Sequence, residues 1–287
     1  MASRREIRRR IRSIQNTAQI TKAMQMVAAS RMRRAQARVQ AARPYAESIT
    51  EIMADIAARP GAADHPLLTQ RELRRIEIVA VGSDRGLAGA YVANLNREIA
   101  RVMQRSPEPA RVIAVGRRPR DFVLRTRATL VADYSGLGDH ASIVDIRPVA
   151  EQAVEDYQSG EADLVYLVYT EFISTLRQQA QAVQLLPVLA PTENVVTGPW
   201  NYEPDNPGLV LQDLVPRYVE FSIYRGYLEA QASYHTAQML AMSNATDNAL
   251  EIVKDLTLEM NKARQAEITK EIAEISGGAE AIQATGT

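Results

Sequence analysis

Apolar residues recur at heptad spacing over the last third of the chain, and this repeat restricts the possible folds more than any other feature. Alternate steps of four and three residues from Val210 to Ala266 meet mostly apolar side chains. Such spacing places one apolar seam along a very long helix, from about residue 209 to residue 283, which at 1.5 Å per residue would span roughly 110 Å. A helix of this length needs a partner. In its second half the predicted seam runs through Met242, Ala245, Ala249, Ile252, Leu256, Glu259 and Ala263.

The same spacing indicates a second long helix near the start of the chain. From Ile7 to Ile56 the steps meet an apolar residue at every position except Thr21 and Gln25. A repeat held this long predicts a left-handed supercoil. Pro44 lies within the helix and is expected to kink it. Two matched seams predict a long antiparallel two-helix coiled coil; the alternative is two separate amphipathic helices on a bundle.

Between these helices, short apolar runs alternate with helical segments, which favours an α/β layer with a mostly parallel sheet. Strands are predicted at 76–81, 111–115, 129–132 and 163–170, with an antiparallel edge strand at 179–186, and helices at 87–104, 120–127 and 146–157. Turn-rich or proline-rich chain flanks this region at 59–68 and 187–208. The predicted division is a coiled-coil helix at 1–58, a Rossmann-like α/β domain at 70–190 and a coiled-coil helix at 209–287.

Composition excludes several classes of site. The 287 residues contain no cysteine, which rules out disulfides, thiolate metal sites and a cysteine nucleophile. His65, His140 and His235 are scattered along the chain and suggest no metal cluster. There is no run of about 18 apolar residues, so no membrane span is predicted. The basic N-terminal stretch has no apolar signal core, so secretion is not expected.

Charge is unevenly distributed, although the formal net charge of the chain is zero. Residues 1–43 carry twelve arginines and lysines against Glu6 alone. A helix face this one-sided favours binding to nucleic acid, to anionic lipid or to an acidic protein surface. The alternative is a solvated helix face without a partner. The residues assigned to the basic face are Arg8, Arg9, Lys22, Arg33 and Arg34.

The most distinctive local motif, Gly82-Ser-Asp-Arg-Gly-Leu-Ala-Gly-Ala-Tyr91, lies between the first predicted strand and the helix that follows. A glycine-rich turn here invites a phosphate-binding interpretation, because helix N-termini bind anions. The spacing of its glycines, however, matches neither the dinucleotide nor the P-loop pattern. The glycines are therefore expected to form a tight turn, with Ser83 or Asp84 capping the helix. No histidine lies nearby to complete a nucleophilic triad, so no catalytic, cofactor or metal site is predicted.

Three motifs occur in order along this architecture. They are Ile20-Thr-Lys-Ala-Met24 with Met26-Val-Ala-Ala-Ser30, then Ser83-Asp-Arg-Gly-Leu-Ala-Gly89, and finally Ile268-Thr-x-Glu-x-x-Glu-x-x-x-Gly-Ala279. Together they resemble the gamma subunits of F-type rotary ATP synthases, and the resemblance extends over the whole chain. It implies a central rotor shaft that couples ion-driven rotation of a membrane c-ring to sequential conformational changes in catalytic beta subunits, during ATP synthesis or hydrolysis.

By this resemblance, the two helices turn inside a head of three alpha and three beta subunits, and the α/β domain forms a foot against the epsilon subunit and the c-ring. Catalysis then belongs to the beta subunits, and this chain is a non-catalytic subunit of a proton- or sodium-translocating synthase. It would lie peripherally on the cytoplasmic face of the bacterial plasma membrane, with no cofactor, no nucleic acid and no membrane insertion. The implied contacts with the beta-subunit catch loop are Arg264, Gln265 and Thr269, and the foot-domain motif comprises Ser83, Asp84, Arg85, Gly86 and Gly89.

Two other functions stay open without the resemblance. The first is a coiled-coil adaptor or nucleic-acid binder that uses the basic helix, and its binding would weaken steeply with salt. The second is a nucleotide-binding enzyme that uses the glycine-rich turn, and the isolated chain would then bind ATP.

Overall fold

The computed structural model describes residues 4–57, 65–189 and 207–285. The chain separates into two compact units: a helix unit, residues 1–27 with 239–287, and a sheet unit, residues 28–238. The elements in chain order are α1 (Arg4–Ala57), β1 (Ile76–Val81), α2 (Tyr91–Met103), β2 (Arg111–Val115), α3 (Arg117–Val123), β3 (Thr129–Asp133), α4 (Ile143–Gln158), β4 (Leu164–Phe172), β5 (Gln178–Leu186) and α5 (Pro207–Thr285).

The sheet has the strand order β3-β2-β1-β4-β5. The first four strands in sequence pair in parallel, and β5 runs antiparallel to β4 along one edge. Strand β1, with the sequence IEIVAV, is buried along its whole length, as expected for a parallel strand covered on both faces. The predicted α/β layer with an antiparallel edge strand is confirmed.

Alternate residues of β1 divide the core of the sheet unit between two faces. Ile76 and Ile78 point into a cluster with apolar residues of α2 and α3. Val79 and Val81 point into a cluster formed with α4 and with the part of α5 in this unit. Because α5 supplies buried residues to that second cluster, its first third is a component of the sheet core. Its contributions are Leu211, Val215, Val219, Ile223, Tyr227 and Ala230.

Helices α1 and α5 are antiparallel neighbours within each unit. In the sheet unit, the ring centroids of Tyr45 and Phe221 lie 4.5 Å apart. In the helix unit, the side-chain hydroxyls of Thr21 and Thr246 lie 2.7 Å apart, and Arg4 pairs with Glu267 at 3.4 Å. Every predicted seam position of α1 is buried or half-buried, so the seam and the antiparallel pairing are confirmed. The helix continues through the proline at position 44, and the expected kink stays a prediction.

The seam of α5 in the helix unit follows a different frame from the predicted one. Ile252, a predicted seam residue, is 47% exposed, whereas Val253 is half-buried and Thr246 is only 6% exposed. Thr246 is tolerated in the seam because its hydroxyl donates to the Met242 carbonyl at 2.8 Å and meets the Thr21 hydroxyl across the helix pair. The observed seam positions are Met242, Thr246, Ala249, Val253, Leu256, Met260 and Ala263.

Three helix starts differ from the predicted ones. Helix α2 begins at Tyr91 and α3 at Arg117. Helix α4 begins at Ile143, because the Asp145 carboxylate accepts a hydrogen bond from the Ser142 backbone N–H at 2.7 Å and so caps the helix. Much of the predicted linkers lies outside the described residues. The division into three segments at 58, 70–190 and 209 stays a prediction.

Candidate partner-binding surfaces

The crevice where an open α/β sheet would bind a ligand is filled by helix α5. Strand order reverses between β1 and β4, and ligands of such sheets lie outside the carboxyl ends of the strands at this point. Here the Tyr234 hydroxyl donates to the Gly86 carbonyl at 3.2 Å, beyond β1. The buried Ser233 hydroxyl donates to the Thr170 carbonyl of β4 at 3.1 Å. The protein itself therefore occupies the position that a nucleotide would take.

A small aromatic cluster seals the same crevice. The rings of Tyr91 and Tyr234 meet edge to face with centroids 5.7 Å apart, and both pack against the buried Ala88. The Tyr91 hydroxyl donates to the Ala230 carbonyl at 3.2 Å, and burial raises the pKa of Tyr91. The helix-to-loop contact is thus both apolar and hydrogen-bonded.

Ser83 and Asp84 hold neighbouring loops together, and neither caps α2 as the sequence predicts; that helix has no side-chain cap. The Ser83 hydroxyl donates to the Arg85 carbonyl at 2.8 Å. Asp84 accepts the backbone N–H of Arg117, the first residue of α3, at 3.0 Å, and that of Gly136 at 3.2 Å. Asp84 therefore links the loop after β1 to the start of α3 and to the loop after β3. Its carboxylate also keeps these two N–H groups from any phosphate.

The loop that carries the foot-domain motif also contains one exposed residue outside the motif, Leu87, with an unfavourable backbone conformation. A Cβ atom on Gly86 would lie 3.0 Å from the guanidinium of Arg118, an exposed side chain that can move away. Gly89 has a φ angle of 55°. Leu87 has a φ angle of 61° although it is not glycine, and it is 63% exposed. A left-handed conformation costs such a residue about 1–2 kcal/mol. An exposed leucine held at that cost is a candidate contact residue.

A polar network ties the loop between β3 and α4 to both long helices within the sheet unit. Asp139 pairs with Arg31 of α1 at 3.1 Å and lies 3.3 Å from the ring nitrogen of His235 on α5. Arg38 donates to the Asp139 carbonyl and contacts His140. Burial lowers the pKa of His235, although the Asp139 carboxylate opposes this shift. The heptad repeat predicts that His235 is buried, but the three scattered histidines give no sign of its partner.

The three predicted catch-loop residues lie on the exposed surface of α5 in the helix unit. Arg264, Gln265 and Thr269 are all exposed, and Thr269 is one turn beyond Gln265. The Thr269 hydroxyl donates to the backbone carbonyl of Gln265 at 2.9 Å. This bond does not involve the side-chain amide of Gln265, which is therefore free for other contacts. Ala263, their neighbour, faces the helix seam and is half-buried. Gln265 and Thr269 therefore share one face on the side away from the seam, whereas Arg264 lies about 100° around the helix from Gln265, at the flank of the seam.

The predicted basic residues are exposed and make no ion pair within the described parts of the chain. This distinguishes them from other arginines of α1. Arg4 pairs with Glu267, Arg10 with Glu6, and Arg31 with Asp139. The exposed cations of α1 without an ion pair among the described residues include these five, Arg8, Arg9 and Lys22 in the helix unit and Arg33 and Arg34 in the sheet unit, together with Arg5, Arg12 and Arg43.

Large apolar side chains accompany these charges on the surface of the helix unit. Ile20, Met26 and Leu258 are each more than half exposed, and so are Ile272 and Ile275 near the far end of α5. Among the described residues, no helix is long and apolar enough to span a lipid bilayer, and no three acidic or histidine side chains converge to hold a metal. These observations define the class of protein. It has two long antiparallel helices and an α/β domain in one chain, and its exposed cations and large apolar side chains lie on the helices.

Comparison with known proteins identifies the family. A family model described as ATP synthase matches residues 3–282. The ATP synthase gamma chain of Moorella thermoacetica is 45% identical over 283 residues, covering 99% of this chain and 100% of that protein. The gamma chain of Roseiflexus castenholzii is 46% identical over 290 residues, covering 98% and 99%. The chain belongs to the family of ATP synthase gamma chains.

Solved structures agree on the fold. One is a chain of the Euglena gracilis mitochondrial ATP synthase, in a structure with OSCP, F1 and c-ring in rotational state 3. The match has 17% sequence identity and a TM-score of 0.68, and it covers 99% of this chain and 96% of the Euglena chain. Another is from the central stalk and c-ring of the Tetrahymena thermophila mitochondrial enzyme, with 21% identity, a TM-score of 0.61, and 79% and 99% coverage.

Proposed function

We propose that this chain is the central rotor shaft of an F-type ATP synthase, coupling rotation of the membrane c-ring to sequential conformational changes in the catalytic beta subunits. The observation that carries the proposal is the surface of the helix unit, where unpaired cations and large apolar side chains are exposed although the seam is already buried. Such a surface suits enclosure by other proteins. The curated relatives are named as gamma chains, which supports the same role.

A non-catalytic role follows from the closed crevice of the sheet unit. The Tyr234 and Ser233 contacts fill the position where an α/β domain would bind a nucleotide. ATP chemistry would then belong to the partner beta subunits. The chain would contribute only its surface and its stiffness.

The mechanism we propose is a rotation-dependent bias on the beta subunits. As the shaft turns, each beta subunit meets a different face of the helix pair. A face shifts the conformational equilibrium of a beta subunit only if it binds one of the two conformations of that subunit more tightly than the other. Moving such an equilibrium from 1:99 to 99:1 requires about 5.5 kcal/mol. Charge-assisted hydrogen bonds are worth about 1.5–3 kcal/mol each, so about two at the upper end of this range, or about four at the lower end, reach this figure. Arg264 and Gln265 are suited to provide them.

We further propose that the α/β domain, residues 70–190, forms the foot that contacts the epsilon subunit and the c-ring, while segments 1–58 and 209–287 form the shaft. The basic residues such as Arg8, Arg9 and Arg33 would face acidic loops of the alpha and beta subunits, since opposite charges steer and orient protein association. The complex would lie on the cytoplasmic face of a bacterial plasma membrane, driven by protons or sodium ions.

The experiment is ATP hydrolysis by the reconstituted complex carrying Arg264→Ala with Gln265→Ala. Loss of one charge-assisted contact in the rate-determining rotation step is expected to lower turnover about tenfold or more. Lys270→Ala is the matched control, because it removes an exposed cation from the same helix about 100–140° around the axis from Arg264, Gln265 and Thr269, and it should keep near-parental turnover. Parental turnover of the double variant in an intact complex would contradict the catch-loop assignment.

A further inference from the structure

A charged cluster is buried at the amino ends of the sheet strands, away from every surface considered above. Glu77 on β1 is fully buried and lies beside Arg111 of β2 in the strand register, with their side chains 3.2 Å apart. Asp156 on α4, 6% exposed, covers them and pairs with the same guanidinium at 3.1 Å. One arginine thus serves two buried carboxyl groups.

Each of these carboxyl groups has one oxygen without a hydrogen-bond partner. Glu77 Oε2 accepts from Arg111, but Glu77 Oε1 is buried and unpartnered. Asp156 Oδ1 forms an ion pair with Arg111 and accepts a hydrogen bond from Gln152, but Asp156 Oδ2 is also buried and unpartnered. The two carboxyl groups are neighbours, because they contact adjacent nitrogens of the same guanidinium, Nε and Nη2 of Arg111, at 3.2 and 3.1 Å. Two carboxylate oxygens cannot bond without a proton, and an unsatisfied buried oxygen is costly.

We propose that Glu77 and Asp156 share one proton, carried on Glu77 Oε1 and donated to Asp156 Oδ2, so that the folded sheet unit holds a structural proton at neutral pH. One proton satisfies both orphaned oxygens. It also balances the buried charge, because the Arg111 cation then faces a single buried carboxylate.

The other charged groups nearby agree with this balance. Burial, then the hydrogen bond with Asp156, raises the pKa of Glu77 to about 9, while Arg111 acts in the opposite direction. Arg111 also contacts the half-exposed Glu161 at 3.1 Å, but that carboxylate is shared with Arg75 at the same distance. On the β4 side of Glu77, the register neighbour is Val165, which brings no charge.

The shared proton makes folding pH-dependent in a defined direction. An ordinary glutamate has a pKa of 4.5, so between pH 4.5 and about 9 the folded chain holds a proton that the unfolded chain has lost. The unfolding equilibrium constant should therefore rise with pH in this window, by up to about tenfold per pH unit.

Glu77→Gln in the full chain tests the proposal, because an amide N–H replaces the proton and its carbonyl still accepts from Arg111. At pH 7 the variant should unfold less readily than the parent, and the ratio of their unfolding constants should widen with pH. A simple Glu77–Arg111 ion pair requires the opposite result. Glu98→Gln is the matched control: this carboxyl is also buried and pairs with Arg101, and the change should leave the parental pH dependence in place.

Two further measurements complete the test. At pH 7 the parent should have the infrared carbonyl band of a protonated carboxylic acid, and Glu77→Gln and Asp156→Asn should each lack it. The double variant, which leaves Arg111 without a buried carboxylate, should be less stable than either single variant. Absence of the band from the parent, or a Glu77→Gln variant that is less stable than the parent at pH 7, would overturn the proposal.

Discussion

Asp84→Ala isolates the architectural role of the foot-domain motif. The substitution removes the carboxylate that accepts the backbone N–H groups of Arg117 and Gly136. It also leaves the N-terminus of α3 without a side-chain acceptor. Within the described parts of the chain, the Asp84 side chain makes no hydrogen bond to the β1 core or to helix α5, so the hydrogen bonds lost are these loop-to-loop links.

The magnitude follows from the two lost bonds and their exposure. A hydrogen bond to a charged group contributes about 1.5–3 kcal/mol when it is shielded from water. Arg117 and Gly136 are exposed and Asp84 is half-buried, so water replaces part of each bond. Losing an N-terminal helix acceptor alone costs about 0.5–2 kcal/mol. We expect a loss of about 2 kcal/mol in the free energy of unfolding for Asp84→Ala, and roughly half of that for Asp84→Asn, which keeps one acceptor oxygen.

Urea unfolding of the full chain measures the total effect, and hydrogen exchange locates it. The amides of Arg117 and Gly136 should exchange faster in Asp84→Ala, while those of β1 keep their protection. Asp247→Ala, an exposed aspartate in the helix unit, serves as the control and should change the unfolding free energy by less than about 0.5 kcal/mol. Unchanged exchange at both amides, together with parental stability, would refute the role assigned to Asp84.

Two other substitutions have defined outcomes. Leu87→Gly should raise the unfolding free energy of the isolated chain by a few tenths to about 1 kcal/mol, because glycine adopts the left-handed conformation without strain. The same change should weaken assembly if the exposed leucine contacts a partner. Calorimetry measures the first effect and a reconstitution titration measures the second. His235→Gln should reduce the acid sensitivity of the chain. Because burial lowers the pKa of His235, the unfolded state takes up a proton before the folded state does as pH falls below about 6.5. The parent therefore loses stability in this pH range, and the variant should lose less. Thermal melts at pH 7 and 5.5 test this, and an equal drop in parent and variant would contradict it.

The long helices were predictable because their signal is local and repeated. A seam in α1 with only Thr21 and Gln25 as polar members leaves one consistent burial pattern, and that pattern is observed. In α5, the predicted and the observed seam both contain Met242 and Ala249. They differ at the next position, where the more apolar Ile252 favours the predicted frame and Val253 is the residue that the structure places in the seam. The correct frame depends on Thr246, whose hydroxyl becomes acceptable in the seam only when the other helix supplies Thr21.

The contacts of the surface loops were harder to predict than the loops themselves. The sequence identifies the turn after β1 as special, but Asp84 bonds to residues 33 and 52 positions away, and no short pattern encodes such pairings. His235 and Asp139 likewise meet only because the loop after β3 contacts α5. Resemblance indicates the exposed catch-loop residues and charge indicates the basic side chains, and their roles stay predictions.

The contact of Tyr234 and Ser233 with the loops of the sheet has a consequence for motion. Nucleotide-binding α/β domains open to admit a freely diffusing ligand and close around it. In this chain the occupant of the crevice is tethered through the polypeptide, so its effective concentration is fixed by geometry and does not vary with metabolite supply. Binding and release of a diffusing ligand therefore do not drive opening and closing at this crevice, because α5 contacts the loops on both sides of it. A rotor subunit has to transmit torque without deforming. A crevice filled by the chain's own helix, in place of a ligand that binds and leaves, favours that stiffness.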